Sequence, residues 1–161
     1  DGTPNAMNAA WGGTYDNDQV VLCLSPEHKT TQNILARKAF VVSMADAAHA
    51  APCDYVGIVS GNKVADKVAR AGFHTEKSKF VDAPVIQELG LAMECEFVKT
   101  AEDGQIVGRV VNVSADESVL GADGKVDPEK LNVILYDGIQ MTYRAVGPVV
   151  AQAFSAGKTL K

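Results

Sequence analysis

Apolar and polar positions alternate over residues 91–98. Leu91, Met93, Cys95 and Phe97 fall on one side, and Ala92, Glu94, Glu96 and Val98 on the other. A period of two is that of a half-buried strand. Glu102-Asp103-Gly104 supplies a turn, and residues 106–113 return, which predicts a long antiparallel hairpin. Residues 19–24 read as another strand, with Val20, Leu22 and Leu24 on one face. Residues 40–45 form an apolar run broken only by Ser43, the pattern of a buried strand. Short strands over 133–136 and 141–146 flank Asp137-Gly138.

Between these runs the pattern turns helical. A helix is expected over 34–38 and another within the alanine-rich stretch 46–61, with Pro52 as its first helical residue and Ser60-Gly61-Asn62 as its stop. A further helix is expected over 63–71, capped by Asn62 and terminated by Gly72. Val64 and Val68 mark its apolar face, leaving Lys63, Asp66, Lys67 and Arg70 to solvent. Residues 74–79 read as a polar loop, 83–89 as a short helical turn, and Asp127-Pro128 as a helix start. The tail from Pro148 reads as a terminal helix that packs on this or another subunit. Six or seven strands with helices grouped in the middle predict a mainly β fold, an antiparallel barrel with helical insertions.

The first residues break the pattern. Asp1-Gly2 is a hairpin-turn dipeptide, and residues 5–11 read as the outgoing arm of that hairpin. Its partner strand is expected ahead of Asp1, so the chain is read as starting part-way through the hairpin, with a sheet edge left to be covered. Ala9, Ala10, Gly12 and Gly13 are poor strand formers with little bulk. They admit a flat ligand or another backbone against the main chain. Trp11 either stacks on such a ligand or fills the core.

The chemistry concentrates where the strand ending at Leu24 gives way to a helix. Ser25-Pro26-Glu27-His28-Lys29-Thr30-Thr31-Gln32-Asn33 places two basic side chains, two hydroxyls and an amide at a helix start. Unpaired N–H groups and the positive end of the helix dipole gather there. These are the ingredients of a phosphate cradle. The competing reading is an ordinary helix start with Thr30 or Thr31 as N-cap.

Composition narrows the classes. The 161 residues are 47% hydrophobic and 22% charged, as expected of one soluble domain with a substantial core. A net charge of −5 argues against general nucleic-acid binding, and no run reaches membrane-span length. Cys23, Cys53 and Cys95 are too dispersed for a disulfide framework or a metal site, and their usage fits a reducing cytoplasm. Cys23 and Cys95 read as buried hydrophobes, and Cys53, beside a helix start, as the more reactive thiol. No acid, base or nucleophile is tied to a partner by spacing, so no catalytic residue is assigned.

In order along the chain, residues 5–13 (Asn-Ala-Met-Asn-Ala-Ala-Trp-Gly-Gly), the 25–33 stretch, Phe40-Val-Val-Ser-Met-Ala and residues 53–67 from Cys53-Asp-Tyr-Val-Gly to Lys67 resemble the flavin reductase-like, FMN-binding split-barrel proteins. Asp82-Ala-Pro84, Glu94-Cys95, Gly108-Arg-Val-Val and Asp116-Glu-Ser fit the same family. The resemblance implies a six-stranded antiparallel split β-barrel, with its first strand missing from this chain, binding FMN at a homodimer interface. It implies that Asn8, Ala9, Ala10, Trp11 and Gly12 lie along the flavin ring, and that Ser25, His28, Lys29, Thr30 and Asn33 take the phosphate. Asp54, Tyr55, Ser60 and Gly61 would form a second segment at the ligand, with Lys67 neutralising charge. Members usually carry Arg where this chain has His28 or Lys29, and a strand ahead of position 1.

Two functions compete under that resemblance. One is an oxidoreductase passing electrons from NADH or NADPH to flavin or a downstream acceptor. The nicotinamide would then stack over the flavin, since no Gly-x-Gly-x-x-Gly motif is present. The other is an FMN-carrying electron-transfer protein reduced by a redox protein partner. A weaker third reading is a flavin-free domain that senses or binds another phosphorylated ring.

Overall fold

The computed structural model describes residues 2–160, so Asp1 of the expected turn lies outside the described residues. In chain order, β1 (Gly12–Asp16) and β2 (Gln19–Leu22) form a hairpin, α1 (Lys29–Arg37) leads to β3 (Ala39–Ser43), and α2 (Ala50–Ile58) and α3 (Lys67–Arg70) follow. β4 (Thr75–Lys77) pairs with β5 (Pro84–Ile86), and β6 (Leu91–Thr100) with β7 (Ile106–Ala115). After α4 (Pro128–Leu131) comes a last hairpin, β8 (Ile134–Asp137) and β9 (Thr142–Ala145).

The main sheet runs β1-β2-β7-β6-β3, and every pair in it is antiparallel. Among the described residues it has five strands, with two short hairpins beside it. The mainly β fold with helical insertions agrees with the sequence pattern.

Two apolar clusters hold the molecule. Leu24, Ile34, Phe40, Cys95 and Ile106 fill the space between α1 and the sheet. The Phe40 ring lies on the backbone of Gly108, where a Cβ would collide with it. Cys53, Val56, Val68, Phe73 and Leu89 form a second cluster under α2 and α3. Burying such side chains contributes roughly 1.5–3 kcal/mol each. The alternation in β6 holds until a bulge between Glu94 and Cys95 turns both inward. Glu94, 3% exposed, accepts from Asn112 Nδ2 at 2.6 Å and from the Ser78 hydroxyl, so its burial is matched by donors.

Several expectations are corrected. Residues 5–10 form no strand. Their alanines favour none, and Asn5 and Asn8 bond side chains elsewhere, so β1 begins at Gly12. α1 starts at Lys29 with His28 as N-cap, so Thr30 and Thr31 lie inside the helix. Thr31 instead donates to the Ser25 carbonyl at 2.7 Å. α2 begins at Ala50, two residues ahead of Pro52. The helix expected over 63–71 shrinks to α3, because Asn62 donates its side chain to the Glu27 carbonyl rather than capping. Gly72 keeps its left-handed φ of +83°. The expected loop and helical turn over 74–89 contain the β4–β5 hairpin. Cys23 is exposed, one residue past the end of β2. Among the described residues the tail forms only a 3₁₀ turn at Ala156–Leu160, with Phe154 100% exposed.

Candidate functional site

The segment 2–10, the start of α1 and the turn after α2 meet at one place. Asn5 Nδ2 donates to the Thr30 hydroxyl at 2.7 Å. Gly61 packs against Asn5 and Lys29 so closely that a Cβ there would overlap the Asn5 side chain and press on Lys29 Cβ at 3.2 Å. Asn62 Nδ2 reaches the Glu27 carbonyl at 2.9 Å. α1 carries no acidic residue in its first turn and no side-chain cap. Among the described residues, the amides of Lys29, Thr30 and Thr31 find no acceptor and Lys29 forms no ion pair. The result is an open, positively polarised helix start.

This helix start lines one side of a cleft of about 1030 Å³. Ala9, Ala10 and Gly12 line it from the N-terminal segment and β1, and Ile34, Phe40 and Leu24 give it an apolar floor. Tyr136 and Tyr143 enter from the β8–β9 hairpin. Tyr136 lies 6.0 Å from Tyr143 between centroids, and the Trp11 ring stands edge-on behind Tyr136 at 6.0 Å, outside the cleft itself.

The residues expected at the ligand divide into two groups. Asn8, Ala9, Ala10, Gly12, Lys29, Thr30 and Asn33 line the cleft. Trp11 lies outside the lining, 62% exposed, its ring over Gly138. The Ser25 hydroxyl donates to the Glu27 carboxylate, whose pKa that bond lowers, and His28 is an exposed cap residue. Asp54 accepts a hydrogen bond from Tyr143, and Tyr55 packs on the second apolar cluster. Ser60 receives the Asn62 amide at 3.3 Å, and Gly61 supports the cleft wall from behind.

Lys67 is the largest correction. It is 3% exposed rather than solvated and does not face the cleft. Its Nζ donates to the carbonyls of Val56 at 2.8 Å and Val59 at 2.7 Å. The C-terminal carbonyls of α2 need donors, and Lys67, the first residue of α3, supplies them.

Asn5, Asn62, Tyr136 and Tyr143 were not assigned to the site from sequence. The Tyr143 hydroxyl donates to Asp54 Oδ1 at 2.7 Å and accepts from Asn8 Nδ2 at 3.1 Å. Burial, with the Asp54 bond, raises its pKa. Asn5 lay within the N-terminal motif; only its pairing with Thr30 was missed.

The family model for the flavin reductase like domain matches residues 1–140. The chain belongs to the flavin reductase-like family. Its fold is the split barrel of that family. Within the family, the chain is similar to the flavoredoxin of Desulfovibrio vulgaris (Miyazaki F), with 35% identity and a TM-score of 0.92 over 97% of this chain and 86% of that one. The flavoredoxin of Methanosarcina acetivorans shares 27% identity at a TM-score of 0.88, over 98% and 85% of the two chains. An FMN-binding domain of a flavin reductases-like enzyme from Shewanella baltica OS155 shares the fold, with a TM-score of 0.81 over 92% and 82% at 20% identity. No curated protein matches the chain. The family match ends before β9, so Tyr143 lies beyond it.

Proposed function

We propose that this protein binds FMN non-covalently in the cleft and serves as an electron-transfer protein of the flavoredoxin kind. The observation that carries this reading is the open α1 start. Free amides, Lys29 and the Thr30 hydroxyl face a cleft lined by small residues, in a chain 35% identical to a flavoredoxin. The cleft volume, 1030 Å³, lies at the upper end of the range for ligand sites, about 300–1,000 Å³.

The residues fit a phosphorylated planar ligand. Lys29 and the first-turn amides would take the phosphate. Asn5 occupies an acceptor position of the Thr30 oxygen, leaving the Thr30 hydroxyl hydrogen to point to the ligand. Ala9 and Ala10 leave room for a ring beside the backbone, Gly12 borders it while packing closely on Val21 and Leu22 of β2, and the apolar floor excludes water from its face. When bound, FMN supplies the one- and two-electron chemistry; the protein binds, orients and shields it. No protein acid or base is required. His28, Ser25, Asp54, Tyr55, Ser60 and Gly61 act around this site as supports rather than as its lining.

A second reading is an NAD(P)H-dependent flavin oxidoreductase. The cleft favours it by continuing along α1 to Arg37 and the β4–β5 hairpin, which leaves room for a second ring. We also propose a homodimer with the flavin at its interface. Ile139 and Met141 at the tip of the β8–β9 hairpin, and Val150 and Phe154 in the tail, are 78–100% exposed, apolar side chains that a second copy would cover. Among the described residues no helix is long and apolar enough to cross a membrane. The free cysteines fit a reducing compartment, and we place the protein in the cytoplasm on that ground.

Steady-state oxidation of NADH and NADPH with added FMN separates the two readings. The carrier reading expects no turnover with either nucleotide and electron acceptance from a redox protein. Sustained turnover supports the oxidoreductase. A colourless protein that leaves FMN fluorescence unchanged would remove both.

A further inference from the structure

Lys67 is a charged side chain held almost fully inside the molecule, at the end of α2 and outside the lining of the cleft. Burial lowers its pKa. The ammonium is matched there by the Val56 and Val59 carbonyls and by the negative end of the helix dipole. Directly after Val59 the chain turns. The amides of Lys63 and Val64 return to the Ser60 carbonyl at 3.0 Å each, and the Asn62 amide meets the Ser60 hydroxyl. The far side of this turn is what α1 rests on. Asn62 holds the Glu27 carbonyl, and Gly61 abuts Asn5 and Lys29. Asn5 in turn holds Thr30.

We propose that Lys67 is a positioning residue for the phosphate end of the cleft. It pins the carbonyls at 56 and 59, and so seats residues 60–62 against the start of α1. That seating fixes Lys29 and Thr30 where they meet a phosphate monoester. The inference rests on the reading that the cleft takes FMN. It adds that discrimination between phosphorylated and unphosphorylated flavin is set by a residue that does not touch the ligand. The turn lies against α1 and Asn5, so its effect falls mainly on the phosphate end, while Gly57, between the two pinned carbonyls, also abuts Asn8 next to the ring platform.

The test is fluorescence titration of the purified protein with FMN and with riboflavin, in wild type, Lys67→Met, Lys67→Arg and Asn62→Ala. Lys67→Met keeps the aliphatic stem and removes the donor. Its FMN affinity should fall about tenfold while riboflavin affinity holds. Lys67→Arg, which keeps the charge and the donors, should recover part of the loss. Asn62→Ala cuts the next link on an exposed residue, so it folds even if Lys67→Met does not, and it should reproduce the selective loss. The Lys67→Met/Asn62→Ala double variant should lose little more than either single one, since both act through one turn.

Equal loss of both flavins in Lys67→Met, or an unchanged FMN-to-riboflavin ratio in Asn62→Ala, would overturn the inference while leaving FMN binding intact. Failure of wild type to prefer FMN would overturn the functional reading itself.

Discussion

Tyr143 donates its hydroxyl hydrogen to Asp54 Oδ1 at 2.7 Å, across 89 residues of sequence. The same oxygen accepts from Asn8 Nδ2 at 3.1 Å. One phenol therefore ties β9 to α2 and to the N-terminal segment that borders the cleft. Tyr143→Phe keeps the ring and leaves Asp54 and Asn8 without this partner. It should lower stability by roughly 1–2 kcal/mol, read as a shift in urea midpoint at constant slope. An unchanged midpoint would mean that water replaces the hydroxyl fully.

Gly61→Ala should destabilise the protein by about 1–3 kcal/mol, because the new methyl overlaps Asn5 and crowds Lys29. Gly13→Ala meets open space and should be nearly neutral. Paired thermal melts decide this. If the two variants melt together, Asn5 yields freely and the wall of the cleft is soft.

The thiols should react in a fixed order. Cys23 is exposed, while Cys53 and Cys95 are buried. Burial, with the nearby Asp46 carboxylate, pushes the Cys53 thiol up to about 11, and burial with Glu94 pushes Cys95 to about 12. An aromatic disulfide reagent at neutral pH should modify one thiol quickly in native protein and the rest only on unfolding. Fast reaction at Cys53 would contradict the packing of α2 and restore the expectation of a reactive thiol there.

Acid should loosen the tip of the β8–β9 hairpin. The Asp137 carboxylate accepts from the Gln140 amide, from Arg144 Nε and from the Ile139 amide, and these bonds hold its pKa below the ordinary 3.8. Between the two values the unfolded state binds more protons than the folded one. The contribution is therefore whole above 3.8 and is lost as pH falls through the lower folded value. Amide exchange at residues 139 and 140, corrected for intrinsic rates, should rise over that window and lose its pH dependence in Asp137→Asn. Protection that is flat in wild type would contradict it.

The strands were legible because period-two patterning is local. Leu91, Met93, Cys95 and Phe97 announce β6 without any knowledge of their partners. What the pattern hid was tertiary. A lysine on a short helix looks solvated until the end of α2 is placed above it, and then its donors belong to Val56 and Val59. The 74–89 region read as loop and helical turn because its strands are three residues long, too short to show a period. At the site, the α1 start and the small residues of the N-terminal segment were readable from local chemistry. Tyr143 was not, since its partners lie on segments far away in sequence.

The central claim is that the start of α1 holds the phosphate of FMN. Its most direct test is fluorescence titration of wild type and the Lys29→Ala/Thr30→Ala double variant with FMN and riboflavin. The account predicts that wild type binds FMN, and that the double variant loses about tenfold or more for FMN while riboflavin binding is spared. Equal weakening of both flavins in the double variant, or no FMN binding by wild type, would contradict it.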